Sequence, residues 1–509
     1  MGWRVTTSVT SSVTRSETNS TGGIGEPFLT SQFIAGRWRS GAADRKLAVR
    51  NPYTREVITE FRVATVADVD AAYEAAAAAQ PAWTATPPQV RRAVFERALQ
   101  WVDEQFEEIV DLIMCELGGT RMRAAFEIGF VTEFLRSAAE LTASPVGQLL
   151  ASPDPEKENR LYHEPVGVVG VVSPFNVPFF LSTKPVAPAL ALGNAVVLKP
   201  HELAPLTGGT LLARMFAAAG LPDGLLNVVV TEIDEIGDHF IEHPVPQVIA
   251  FTGSSATGRH IAEVAGRHLK QVVLELGGNS ALIVDDADLD LAVNAAVFSR
   301  FTHAGQVCMS ANRVVVDAGL HDEFVERYTR RVAELPVGDP FDERTVIGPL
   351  ISPTQAELLD RQVHEAIEHG AEPVLRPAPR TPDSGLYSPV VLTGVTPDNP
   401  VSRVELFGPV VCIMKAADED EAIRIANATP YGLSGAVHTR NLDRGVRVAR
   451  QIRTGMIHVN NATIADESAV PFGGVGASGY GRLNGDTTVR AFTRPTWVSV
   501  HHGTPVFPY

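Results

Sequence analysis

The chain has 509 residues, room for at least two hydrophobic cores, and its 43 basic against 59 acidic side chains leave a formal charge of −16. With 45% hydrophobic and 20% charged residues the composition is that of a globular protein, and an acidic chain without a basic run argues against a nucleic-acid partner. Three cysteines, Cys115, Cys308 and Cys412, exclude a disulfide framework and a cysteine-rich zinc module and point to a reducing, cytoplasmic setting.

Residues 1–30 are rich in Ser, Thr and Gly, lack the apolar core of a secretory signal, and are expected to be a disordered leader or the product of a misplaced start codon. Thr65 and Asp68 form a capping box before an alanine-rich helix expected to stop at Pro81. Thr86-Pro87 opens another helix, with Val90, Val94, Ala98, Trp101 and Val102 near one face, expected to end at Gly118-Gly119. From residue 166 short β-branched runs alternate with helical stretches: 167–173, 194–199, 225–230, 248–251 and 271–276. A second series follows at 281–284, 312–316, 410–415 and 455–460. Continuous apolar runs are the mark of buried parallel strands, so two doubly wound α/β domains in series are expected, joined near Gly277-Gly278. The most apolar stretch, 186–198, is broken by Pro188, Gly193 and Asn194, and no run reaches the roughly 18 residues of a membrane span. The ending TPVFPY reads as a docked tail.

Nucleotide signals are present but individually ambiguous. Gly253 to Gly258 has P-loop glycine spacing, yet Arg259-His260 replaces the Lys-Ser/Thr that holds phosphate and Mg²⁺, so kinase and ATPase chemistry are rejected. The same segment fits either an ordinary capped turn or a pyrophosphate site at a helix start, with Ser254 donating a hydroxyl. Lys199 and Glu202 close a strand, as a solvated turn or as partners of an adenine ribose. Cys308 stands in a Gly-Gln turn ahead of a strand, where a loop opening on a cleft suits a nucleophile; Cys412 lies within a strand pattern and Cys115 on a helix. Glu275 ends an apolar strand, where burial would raise its pKa and suit a general base, or where it caps a turn. Asn176 follows another strand between two prolines, as an oxyanion donor or in an Asx turn. No H-E-x-x-H pattern or comparable set of metal ligands is seen.

Together these segments resemble the aldehyde dehydrogenase superfamily from about residue 32 onward. The motifs are PFNVP with Asn176, LKPHE with Lys199 and Glu202, FTGS with Gly253 and Ser254, LELGG with Glu275, GQVC with Cys308, ELFGP with Glu405 and Phe407, YGLSGAV at 431–437 and PFGGVGASGYGR at 471–482. Glu275 stands 99 positions after Asn176, and Cys308 stands 33 after Glu275. The resemblance implies an NAD-binding domain over 31–147 and 166–276, a catalytic domain over 277–475, and a small β flap for oligomerisation over 148–165 and 488–504. It implies catalytic roles for Cys308, Glu275 and Asn176. It also implies cofactor contacts from Ser173, Pro174, Phe175, Lys199, Glu202, Gly237, Gly253, Ser254, Leu276, Glu405 and Phe407. A homodimer or homotetramer is expected, with a small aldehyde as substrate and no metal.

The implied reaction is oxidation of the aldehyde to an acid through a Cys308 thiohemiacetal and thioester. The Glu202 carboxylate would repel a 2′-phosphate, which favours NAD, while Lys199 leaves NADP open. The chain departs from the usual pattern at His303, where the family often has Asn, in the lysine-free GGVGASG, and in TEIDEIG, where Gly237 is the only glycine. HAGQVCMS and the aromatic ending resemble the benzaldehyde, vanillin and salicylaldehyde branch, which favours an aromatic aldehyde. The alternatives are an aliphatic aldehyde or semialdehyde dehydrogenase, a CoA-acylating enzyme, and an inactive structural member of the fold. His303 is read as structural rather than as a second base.

Overall fold

The structure, a computed structural model, describes residues 27–144, 147–376, 378 and 384–509. Residues 1–26 of the expected leader lie outside it; Pro27–Leu29 form a 3₁₀ turn that buries Phe28 under the Arg214 guanidinium, 4.6 Å from the ring centre.

Two seven-stranded sheets organise the chain. The first runs in the order Gln271–Glu275, Val248–Thr252, Val168–Val172, Ala195–Lys199, Leu226–Val228, and is extended by the antiparallel hairpin Gln32–Ile34 and Arg37–Arg39. Its five longer-range strands are parallel, and Ala195–Lys199 is buried at every position, as the unbroken apolar runs require. The second sheet has the order Glu372–Leu375, Val390–Thr393, Val410–Ala416, Ala311–Asp317, Ser280–Val284, Gly435–His438, His458–Val459, parallel except at its first pair. Each sheet has its own apolar core, and the chain passes between them through Leu276–Asn279. A third, antiparallel sheet joins Gly147–Leu150 and Lys157–Pro165 to the C-terminal strand Thr493–His501. Among the described residues no helix is long and apolar enough to cross a membrane.

Local signals were overridden in several places. The first long helix, Val66–Thr84, has the Thr65/Asp68 capping box but continues through Pro81. Proline lies one turn from the helix end, so only one backbone bond is lost. Trp83 anchors the extension: it is buried, and its indole N–H donates to the Leu190 carbonyl at 2.7 Å. The helix expected up to Gly118-Gly119 is two, Pro88–Glu104 and Phe106–Leu117, meeting at Gln105, and Val90 is exposed instead of sharing the buried face. Gly118 ends the second with φ +64, where a Cβ would also come within 2.4 Å of Pro349. The run at 455–460 forms only a two-residue strand. The tail is not docked on its own chain: Val506, Phe507 and Tyr509 are exposed.

Replacing Trp83 by Ala removes both its packing and its hydrogen bond. The expected loss is about 3–5 kcal/mol of stability, read as a lower urea midpoint.

Candidate active site

The register of the first sheet sets out one edge of the site. Thr252 lies opposite Glu275, and Val172 opposite Lys199, so these strands end side by side. The segments that follow them, Ser173-Pro174-Phe175-Asn176, Lys199 to Glu202, Gly253-Ser254 and Glu275-Leu276, leave the same edge, where doubly wound sheets bind ligands.

Cys308 comes from the other unit. Helix Leu289–Phe301 gives way to the turn Thr302–Gly305, in which His303, Ala304 and Gly305 take φ of +51, +52 and +73. At Gly305 a Cβ would stand 2.3 Å from the Gly408 carbonyl, so only glycine lets the two loops meet. The turn is followed by Cys308 and then strand Ala311–Asp317. Asn176 is tied to this loop: its amide donates to the Gln306 carbonyl at 2.9 Å, leaving its second N–H for another acceptor. The Asn176 carbonyl in turn accepts from the buried Arg123, which also pairs with Glu127; Glu127 takes the Phe180 N–H at 3.1 Å. These contacts pin the Asn176 loop to helix Arg121–Leu141.

Asn176, Glu275, His303 and Cys308 share one pocket. Phe126, Phe130, Phe180, Leu433, Ile464 and Phe472 form much of its wall, and Lys184 and Asp466 also border it.

This apolar setting controls the charges. Glu275 is buried, neither carboxyl oxygen finds a hydrogen-bond partner among the described residues, and burial pushes its pKa up to about 8 against the pull of Lys184 and Arg482. Burial, helped by Glu405 and Glu275, pushes the Cys308 thiol up to about 12; Lys184 and the Met309 N–H act the other way. Burial therefore outweighs the nearby Lys184 ammonium, and Cys308 rests as a thiol. His303 is held well below its usual pKa by burial and by Arg123, so it is neutral. Cys412 is also pushed up to about 12, but it is sealed within strand Val410–Ala416; Cys308 is set apart by its access to the pocket.

The remaining predicted residues follow from the same sheet edge and from the ELFGP loop. Lys199 is buried with a lowered pKa caused by desolvation, while Glu202 is half-exposed. Ser254 caps helix Ser255–Arg267 by accepting the Thr257 N–H, and the backbone of Gly253 packs against the Phe251 ring. The Ser173 hydroxyl is buried without a partner among the described residues. Gly237 closes the short helix Ile233–Ile236 with φ +52 and faces open space. Glu405, pushed up to about 7 by burial, accepts the Gly278 N–H at 3.0 Å, and Gly278 itself abuts the Cys308 carbonyl. Phe407 meets the edge of Phe175 at 5.8 Å. Leu276 lies beside Gly258, whose added Cβ would meet it at 2.4 Å.

Residues 38–498 match the Aldehyde dehydrogenase family. The chain belongs to that family. It is 54% identical to a benzaldehyde dehydrogenase of Bacillus subtilis (strain 168), over 94% of this chain and 99% of that one. Among solved structures, an NAD-dependent benzaldehyde dehydrogenase from Corynebacterium glutamicum is 41% identical with a TM-score of 0.86, covering 94% of this chain and 98% of the other. A salicylaldehyde dehydrogenase from Pseudomonas putida G7, in complex with salicylaldehyde, is 33% identical with a TM-score of 0.91, covering 94% and 99%.

Sequence reasoning missed Arg123, Glu127, Lys184, Asp466 and Arg300 at this aldehyde dehydrogenase site. Lys184 had a signal, a lone cation in the apolar run 179–192; Asp466, 282 positions away, had none. It also missed a cluster elsewhere, Asp70, His239 and His243, whose ligand atoms lie within 4.8 Å of one another. There His243 Nδ1 accepts the Val245 N–H, so the ring proton is on Nε2, facing Asp70, as in an imidazole–carboxylate pair.

The raised pKa of Glu275 has a stability consequence. The folded state keeps its proton up to about 8, while the unfolded chain releases it near 4.5, so wild-type stability falls between these values as pH rises. Glu275→Gln lacks this term. Urea midpoints measured across pH are expected to shift in favour of the variant between pH 4.5 and about 8, and parallel curves would contradict the burial of an ionisable carboxyl.

Proposed function

We propose that this aldehyde dehydrogenase oxidises aromatic aldehydes to carboxylic acids with NAD. The observation that carries the chemistry is the meeting of Cys308, Glu275 and Asn176 in one largely apolar pocket, with Glu405 reaching the Cys308 loop through Gly278. The aromatic wall of that pocket, and the names of the benzaldehyde and salicylaldehyde dehydrogenases it is similar to, support an aromatic substrate. These residues suit a dinucleotide: the orphaned Ser173 hydroxyl is an unused polar group, and the half-exposed Glu202 beside Lys199 suits a ribose diol. Ser254 at its helix start suits a phosphate, Glu405 and Phe407 suit the nicotinamide end, and Pro174, Phe175, Gly237, Gly253 and Leu276 are read as further cofactor contacts.

When bound, the nicotinamide supplies the hydride acceptor. The Cys308 thiol passes its proton to solvent water, and the thiolate attacks the aldehyde carbon, forming the C–S bond of a thiohemiacetal and leaving the charge on the former carbonyl oxygen. The free N–H of the Asn176 amide and the backbone N–H of Cys308 receive the oxyanion; one such donor is worth about 2.7–4 kcal/mol of barrier. Loss of hydride leaves a thioester on Cys308. Glu275 in its ionised form, which a pKa of about 8 keeps accessible, takes a proton from water, which attacks the thioester, releases the acid and frees the Cys308 sulfur. The Glu275 carboxyl argues against transfer to CoA, since water has a base here.

The exposed Leu149, Leu150, Trp497 and Val498 of the three-stranded sheet support a homodimer or homotetramer formed through it, and three unpaired thiols support a cytoplasmic setting.

Cys308→Ala is expected to abolish NADH formation from benzaldehyde, without CoA, while NAD still binds; near wild-type turnover would remove Cys308 as the nucleophile. Glu202→Gln is expected to raise the ratio of NADP to NAD use, measured as kcat/KM, about tenfold, the order of a single charged contact.

A further inference from the structure

A second group of chemistry-bearing side chains lies away from the oxidation site. Asp70 stands on helix Val66–Thr84; His239 opens the short helix His239–Glu242 and His243 caps it, one turn on. His239 Nε2 lies 2.6 Å and His243 Nε2 3.5 Å from the same oxygen, Asp70 Oδ1, and the ligand atoms all lie within 4.8 Å of one another. Among the described residues no other group of three His, Cys, Asp or Glu side chains meets in this way. None of the three borders the pocket that holds Cys308.

Two histidines four positions apart on one helical turn aim two nitrogens at one point, and a carboxylate from a neighbouring element makes a third ligand, leaving a position for water. Around tetrahedral zinc, bonds of about 2.0–2.1 Å set ligand atoms roughly 3.3 Å apart. The His243–Asp70 separation is close to that, and the His239–Asp70 contact has only to open by roughly 0.7 Å. His239 and Asp70 are 31% and 42% exposed, so both can move and an ion can reach them from solvent. His243 is the fixed member. Its ring stacks on the buried Tyr73 at 4.6 Å between centres, its carbonyl accepts from Lys270, and the Tyr73 hydroxyl donates to the Phe240 carbonyl at 2.8 Å. One bond is given up on ligation: a bound Nε2 leaves the His243 proton on Nδ1, so the Val245 N–H contact of 3.3 Å must open. Asp70 and Glu74, one turn apart on their helix, both bring negative charge to His243, against Lys270. Two ring nitrogens with one carboxylate suit a transition-metal ion better than Mg²⁺ or Ca²⁺, which take oxygen ligands.

We propose that Asp70, His239 and His243 bind a divalent transition-metal ion of the zinc class, which staples the segment ahead of strand Val248–Thr252 to helix Val66–Thr84. The role is structural and separate from the oxidation.

The test uses the tag-free full chain with Cys308→Ala, so that the pocket thiol does not compete for the ion. The protein is stripped with EDTA and titrated with Zn²⁺ by calorimetry. One saturable site is expected, with no binding of Mg²⁺ or Ca²⁺ at the same concentrations, and Zn²⁺ is expected to raise the thermal midpoint, as an ion that binds the folded state does. Adding His239→Asn or Asp70→Ala, each checked for folding by circular dichroism, is expected to weaken Zn²⁺ about tenfold or more and to remove the rise in midpoint. Absence of saturable Zn²⁺ binding by the parent overturns the proposal even if no variant folds. So does unchanged Zn²⁺ affinity in a folded variant, which would place the ion elsewhere on the surface.

Discussion

Leaving a carboxyl group in an apolar pocket without a hydrogen bond costs free energy, and a fold keeps one only by building its surroundings to hold it. Glu275 is that group. It closes a strand of the first sheet, and the glycine-rich loop 473–482 folds over it; at Gly473, with φ +150, a Cβ would come within 2.8 Å of Oε1. Ser478 secures the same loop by donating to the Gly277 carbonyl at 2.6 Å. The dryness that keeps Glu275 protonated also keeps Cys308 protonated, so the resting site is close to neutral where the chemistry will need anions. A base that titrates near 8 can then both accept a proton from water and return it within one turnover.

The loops that meet around this pocket come from distant parts of the chain, and buried arginines fasten them. Arg123 holds the Asn176 carbonyl, Arg300 holds the carbonyls of Leu406 and Gly408 and the Asn312 side chain, and Arg313 holds Asn279, Ile425 and Ala426. Irregular segments have no ladder to satisfy their carbonyls, and a guanidinium with five donors can serve several at once. Arg300 thus sets the ELFGP loop, which carries Glu405 and Phe407, against the turn that carries Cys308.

The parallel strands were legible because burial on both faces leaves an unbroken apolar run, and Cys308, Glu275 and Asn176 were legible because short motifs surround each of them. The hairpin Gln32–Arg39 was too short to stand out, and Pro81 misled because the buried Trp83 outweighs one lost helical bond. Lys184 and Asp466 meet only in the folded chain, so no spacing rule joins them. The protonation state of Cys308 is not legible in the sequence for the same reason: it is set by burial and by the carboxyl groups of Glu405 and Glu275, which local sequence does not reveal.

The most direct measurement is peptide mass spectrometry of Glu275→Gln after mixing with NAD and benzaldehyde. If Cys308 is the nucleophile and Glu275 the base for hydrolysis, a benzoyl thioester accumulates on the peptide carrying Cys308, and only when NAD is present. Benzoic acid appearing at the wild-type rate with Cys308 unmodified, or a benzoyl group on Cys115 or Cys412 instead, would contradict it.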